Sequence, residues 1–93
     1  MNYYILSLKR TSGDVFTWWR PDCRGYTQDL NKAGIYTEEE LQERPWYFSN
    51  ENAMPVEVGI VDRSLKATVV INDSSNQIVF AEQLEHQNLR EAK

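Results

Sequence analysis

Ninety-three residues, 41% apolar and 26% charged, make one small domain with a modest core. A net charge of −4 excludes a general binder of duplex nucleic acid, whose affinity comes from neutralising phosphates. The single cysteine excludes an internal disulfide and a thiolate zinc cluster.

The charge is unevenly spread. Residues 1–36 carry five basic and three acidic side chains, whereas residues 37–93 carry five basic and eleven acidic ones. The small positive excess of the first part suits one anionic ligand. No charged-then-apolar leader precedes Tyr3, and no apolar run approaches membrane-spanning length, so a soluble cytoplasmic protein is expected. Ten of the eleven aromatic residues fall within the first 48 positions, which predicts a core built mainly from the N-terminal half.

In chain order, Tyr3 to Leu8 (YYILSL) reads as a strand with Tyr4, Leu6 and Leu8 on one face and Tyr3, Ile5 and Ser7 on the other. Thr11-Ser12-Gly13-Asp14 is turn chemistry, with Gly13 free to take a positive φ. Val15 to Trp19 is a second strand, completing an antiparallel hairpin with aromatics on both faces. Pro21 and Gly25 end it. A short helix is predicted from Tyr26 or Thr27 through Leu30 and Ala33, stopped by Gly34. Thr37-Glu38-Glu39-Glu40 is a capping box opening a helix to about Arg44, and Pro45-Trp46 begins a further turn ending near Phe48.

Ser49 to Ala53 is a loop. Pro55 to Leu65 supports two readings: Val56, Val58 and Ile60 alternate like a strand, while Val58, Val61 and Leu65 are spaced like a helix face, the reading favoured here. Ala67 to Ile71 and Gln77 to Ala81 read as strands joined through Asn72-Asp73-Ser74-Ser75-Asn76. The tail from Glu82 to Lys93 reads as a loosely attached surface helix. The sum is an α+β fold: an N-terminal β-hairpin packed by short helices, a C-terminal strand pair and a terminal helix, in a single domain over 1–93.

The sharpest constellation is Trp18, Trp19, Arg20, Arg24 and Tyr26. These residues would make a ligand- or partner-binding site in which a ring stacks on an aromatic face and arginine forks hold phosphate. The competing reading packs the Trp pair into the two faces of the hairpin and pairs the arginines with Asp14 and Asp22. Cys23 lies between two arginines, but a lone Cys with one distant His86 is a thin basis for a nucleophile–base pair. His86 has no second ligand at metal-binding spacing. Glu38, Glu39 and Glu40 point in different directions on a helix, so capping fits them better than catalysis. Neither a dinucleotide nor a Walker pattern is present.

Tyr3-Tyr4-Ile5-Leu6-Ser7-Leu8, Gly13-Asp14, Trp18-Trp19-Arg20-Pro21, Gly25-Tyr26-Thr27 and Ala33-Gly34-Ile35-Tyr36 resemble a group of small bacteriophage and prophage accessory proteins. The resemblance covers roughly the first 50 residues and implies a phage accessory role, with no cofactor or catalytic residue to carry over. Two functions are therefore expected to compete. The first is a non-enzymatic binding module that blocks a host protein, such as a defence component, in the host cytosol. The second is a binder that sequesters a small anionic, nucleotide-like ligand through the Trp–Arg loop. Neither requires a metal or cofactor, and an exposed Trp pair would also favour a homo-oligomer.

Overall fold

Alternation in the first strand decides the architecture. The computed structural model describes residues 1–80. β1 (Asn2–Ser7) is the centre of a five-stranded antiparallel sheet and is buried on both faces from Tyr3 to Ser7. It is followed by β2 (Trp18–Trp19), β3 (Tyr26–Thr27), β4 (Tyr36–Thr37), α1 (Glu38–Glu43), α2 (Pro45–Phe48), β5 (Ala53–Glu57), α3 (Val58–Ser64), β6 (Leu65–Lys66) and β7 (Val69–Val70). Along one edge of β1 runs β5, in the register Tyr3↔Glu57 to Ser7↔Ala53. The other edge is shared: β2 pairs at Leu6↔Trp18, and β4 pairs at Asn2↔Thr37 and Tyr3↔Tyr36. β3 lies outside β2, at Trp18↔Thr27 and Trp19↔Tyr26. Pro55 sits in β5, an edge among the described residues, where a missing ladder donor is tolerated.

The fold is α+β, as the patterning predicts. The hairpin forms, and Gly13 takes φ 84° in its connection. The second strand is shorter than Val15–Trp19, because its upstream half leaves β1 for another partner. Val15 bridges Ile71, and the Phe16 amide donates to the Val70 carbonyl at 3.0 Å. The expected helix after Tyr26 shrinks to one 3-10 turn over Leu30–Lys32, capped by Asp29, whose Oδ1 accepts from the Asn31 amide at 2.9 Å. Longer-range bonds hold both ends of that turn: the Leu30 amide donates to the Thr68 carbonyl and the Gly34 amide to the Trp19 carbonyl, each at 2.9 Å.

The capping box is present in full, with Thr37 Oγ1 accepting from the Glu40 amide and Glu40 Oε1 accepting from the Thr37 amide. Pro55–Leu65 is divided. Of the alternating Val56, Val58 and Ile60 only Val56 lies in a strand, β5, while Val58 and Ile60 belong to α3, the favoured helix, with Val61 fully buried and Leu65 already in the next strand. A C-terminal strand pair exists, but it is β6 with β7, joined through Ala67 and Thr68. Residues 74–80, which include the start of the expected Gln77–Ala81 strand, are helical instead. Asp73 decides this, its Oδ1 accepting from the Asn76 amide and its carbonyl from the Gln77 amide. The expected terminal helix over 82–93 lies outside the described residues.

Two apolar clusters flank the sheet. Tyr4, Leu6, Phe16, Trp18 and Leu30 meet Met54, Val56, Val61, Val70 and Phe80 on the first face. Ile5, Tyr36, Phe48 and Ala53 form the second, with Trp19, Cys23 and Leu41 packed against it. Most buried apolar residues among those described lie within the first 48 positions, as the aromatic distribution predicts, although the first cluster draws as many residues from beyond position 50 as from before it. The aromatic rings come early in the chain, and the aliphatic side chains that seal them come late. No helix among the described residues is long and apolar enough to cross a membrane.

Candidate functional site

Neighbouring residues of a strand point to opposite faces, and β2 is no exception. Trp18 is 0% exposed, and its ring lies 5.8 Å from Tyr4, 6.1 Å from Phe16 and 6.0 Å from Phe80. It belongs to the core of the first face and cannot touch a partner. Its buried Nε1 has no hydrogen-bond partner among the described residues. Trp19 is half-buried on the second face, with ring centroids 5.3 Å from Tyr47, 5.7 Å from Phe48 and 6.5 Å from Tyr36.

The loop after Trp19 is built to turn sharply and stay put. Its neck closes where the Arg20 amide donates to the Gly25 carbonyl at 2.8 Å. Inside, Asp22 and Cys23 hold φ of 58° and 57°, a left-handed pair that costs non-glycine residues of order 1–2 kcal/mol each. Tyr36 offsets that cost from beneath. Its hydroxyl donates to the Arg20 carbonyl at 2.5 Å, accepts from the Cys23 amide at 3.0 Å and lies 3.9 Å from Cys23 Sγ. Burial is the main cause that pushes the Tyr36 hydroxyl pKa up to about 12. Gly34 completes the support. A Cβ there would meet Pro21 Cα and N at 2.9 Å, so glycine is required for close approach rather than as a helix stop. The Cys23 and Arg24 amides are both taken, by Tyr36 and by the Pro21 carbonyl, so these two amides cradle no phosphate.

Trp19, Cys23, Gly25, Tyr26 and Tyr47 line a cleft of about 50 Å³. That space holds one or two waters, against roughly 300–1,000 Å³ for a typical small-molecule pocket. Charge and hydrogen bonding at Cys23 hold the Tyr47 hydroxyl above its ordinary pKa. Around the cleft the surface is aromatic and cationic. Tyr26 is 46% exposed with the Arg10 guanidinium 5.0 Å from its ring centre, and Tyr47 is 45% exposed with Arg44 at 4.7 Å. Arg20 lies along Gly25, its Cδ 3.7 Å from where a Cβ would stand, and Arg24 is exposed in the same loop. Trp46, next to Tyr47, is 85% exposed.

Of the five expected site residues, Trp19, Arg20, Arg24 and Tyr26 thus share one loop region, and Trp18 faces away. Sequence reasoning missed Arg10, Arg44, Trp46 and Tyr47. The signal for the last two was present: a four-residue helix reading PWYF cannot bury three large rings on one side, and only Phe48 is buried. Glu38, Glu39 and Glu40 occupy the first turn of α1 as cap and dipole partners. His86 lies outside the described residues. No family model matches this chain, and no curated protein or solved structure matches it.

Proposed function

We propose that this protein is a non-enzymatic binding module that docks on a protein surface through the face around Trp19, Tyr26, Trp46 and Tyr47. The observation that carries this reading is the exposure of Trp46 at 85%, next in the chain to Tyr47, a cleft-lining ring that carries the Arg44 guanidinium. An indole left in water is a poor use of a residue in a domain with so few large apolar side chains. Trp, Tyr and Arg are the residues that dominate binding energy where two proteins meet. The resemblance of the first 50 residues to phage and prophage accessory proteins supports a setting inside an infected bacterium. There the module acts in the host cytosol by blocking a host component, with a defence protein as the foremost candidate; occupying a surface is enough for that. The alternative, a nucleotide-sequestering protein, finds less support, because the cleft is several times too small for a base and its ribose.

The test is quantitative capture from bacterial lysate with the full chain and with Trp46→Ala and Tyr47→Ala. One stoichiometric partner, lost with either variant while the fold persists, is the expected result. Capture of nothing at stoichiometric level removes the reading. A thermal-shift screen against linear and cyclic nucleotides tests the alternative, since a ligand that binds only the native state raises the melting temperature.

A further inference from the structure

We infer that the surface this module recognises is an acidic polypeptide segment, read by Arg10 and Arg44 as a pair of carboxylate forks. This rests on the docking face proposed above. Both guanidinium groups lie within cation–π range of a tyrosine, at 5.0 Å over Tyr26 and 4.7 Å over Tyr47, and both tyrosines line the same cleft. A guanidinium laid on a ring has one face covered and keeps its N–H rim free. That rim is what bonds a carboxylate in two parallel hydrogen bonds. Holding the side chain in place beforehand also lowers the ordering cost of association.

The backbones under both arginines are fixed. The Arg10 amide donates to Ser7 Oγ at 3.0 Å, and the Arg44 carbonyl accepts from the Tyr47 and Phe48 amides at 3.1 and 3.3 Å. Among the described residues neither arginine has a carboxylate partner, the one ion pair there joining the N-terminal amine to Glu38 at 4.0 Å. Arg20 and Arg24 add further cations in the loop, offset there by Asp22. Cations gathered on one face of a chain whose net charge is −4 point to an anionic occupant.

A single-stranded nucleic acid is the competing anion, and the ring geometry disfavours it. Base stacking needs open ring faces. Tyr26 and Tyr47 each already carry a guanidinium, and Tyr47 also meets Trp19 and Phe48 at 5.3 Å each. Trp46, next to Tyr47 in the chain and 85% exposed, is an open ring suited to cover one apolar side chain of the bound segment.

The experiment is a titration of the isotope-labelled full chain, following the Arg Nε–Hε signals. The probes are a glutamate decapeptide, a lysine decapeptide and a ten-base oligo(dT). The expected result is a saturable shift of the Arg10 and Arg44 signals with the glutamate peptide alone. Arg10→Ala or Arg44→Ala should weaken it roughly tenfold each, the effect of losing one charged hydrogen-bonded pair. Arg10→Lys and Arg44→Lys should weaken it nearly as much, since lysine keeps the charge and loses the fork; they carry the comparison where an alanine variant loosens the fold. The inference is overturned if oligo(dT) saturates the face and glutamate does not, or if the arginine variants bind glutamate as the wild type does. It is also overturned if the same signals move with protein concentration alone, which would make the occupant a second copy of this chain. A lysate partner that is lost with Trp46→Ala yet held by every arginine variant would sink the acidic-segment inference and leave the docking face standing.

Discussion

On one side of the sheet Trp18 meets Tyr4, Phe16 and Phe80 with no exposed surface; one residue later, on the other side, Trp19 meets Tyr36, Tyr47 and Phe48 at the lip of a cleft. Both faces start from rings on the same strands. They differ in what covers them. The first face is closed by α3, β7 and residues 74–80, which contribute the fully buried Val61 and Val70 and the nearly buried Phe80. The second is covered by α1 and α2, helices of six and four residues that together bury only Phe48. A roof of four to six residues is too short to hide the rings it carries, so Trp46 and Tyr47 stay in water. On the docking reading proposed above, recognition surface and unfinished core would be one property of the second face.

Substituting one tryptophan on each face tests that contrast most severely. Trp18→Ala should cost about 4 kcal/mol and Trp19→Ala about 2 kcal/mol, read from urea unfolding, because the cost rises with the cavity left behind. Partner binding should respond in the opposite order, with Trp19→Ala the more damaging once both variants are compared as folded protein. Trp18→Phe should recover much of the stability, since it fills most of the space and removes an Nε1 that has no hydrogen-bond partner among the described residues. Equal losses from the two alanine variants would erase the distinction between the faces.

Gly34→Ala comes next, at about 3 kcal/mol, and it acts on the second face alone. The added Cβ would sit 2.9 Å from Pro21 backbone atoms, which cannot swing aside as a side chain does. The loop carrying Arg20 and Cys23 must then move off Tyr36. A drop of less than about 1 kcal/mol, or unchanged partner binding, would show that this loop is not held where the second face needs it.

Gly34 also marks the limit of what the sequence makes legible. Local patterns read correctly: the two faces of β1 as far as Ser7 (Leu8, expected beside Leu6, lies past the strand end and is exposed), the Gly13 turn, the capping box at Thr37 and Pro45 at the start of α2 all depend on residues within a few positions of one another. The failures share a cause. The Leu30 amide is claimed by Thr68 and the Phe16 amide by Val70, pairings that span tens of residues, so a predicted helix becomes one turn and a predicted strand loses its first half. Residues 77–80 alternate poorly, and Asp73 caps a helix that a strand pattern does not announce. At the site, Arg20, Arg24 and Tyr26 are legible as neighbours in one loop, whereas Arg10 and Arg44 lie over the cleft-lining Tyr26 and Tyr47, rings from separate segments that only the folded chain brings together.

Tyr36→Phe probes the support of the second face without changing its shape, at about 2 kcal/mol for the loss of bonds to Arg20 and Cys23. It has a pH signature as well. A tyrosine whose pKa is about 12 folded and about 10 unfolded stays protonated in the native state while the unfolded chain ionises. The unfolded chain therefore binds fewer protons between those values, and stability falls as pH rises from about 10 to 12, by up to roughly 3 kcal/mol. Tyr4 and Tyr47 are shifted the same way, so the wild type declines through several groups. The decisive quantity is the difference: Tyr36→Phe should lose stability less steeply than wild type across that window. Parallel curves would mean that the hydroxyl is not held by the loop.

The smallest effect belongs to the well-sealed face and has the opposite sign. Ala67 holds φ 60° in the exposed connection between β6 and β7, the hairpin that delivers Val70 to the first cluster. Glycine adopts that conformation without the Cβ clash, so Ala67→Gly should stabilise the protein by roughly 0.5–1 kcal/mol, net of the extra freedom glycine gives the unfolded chain. Because the first face is already closed, the gain should appear in thermal and urea midpoints and leave partner binding untouched. A destabilising result would mean that residue 67 relaxes out of the left-handed region in solution, and that the hairpin closing the first face is looser than its buried valine implies.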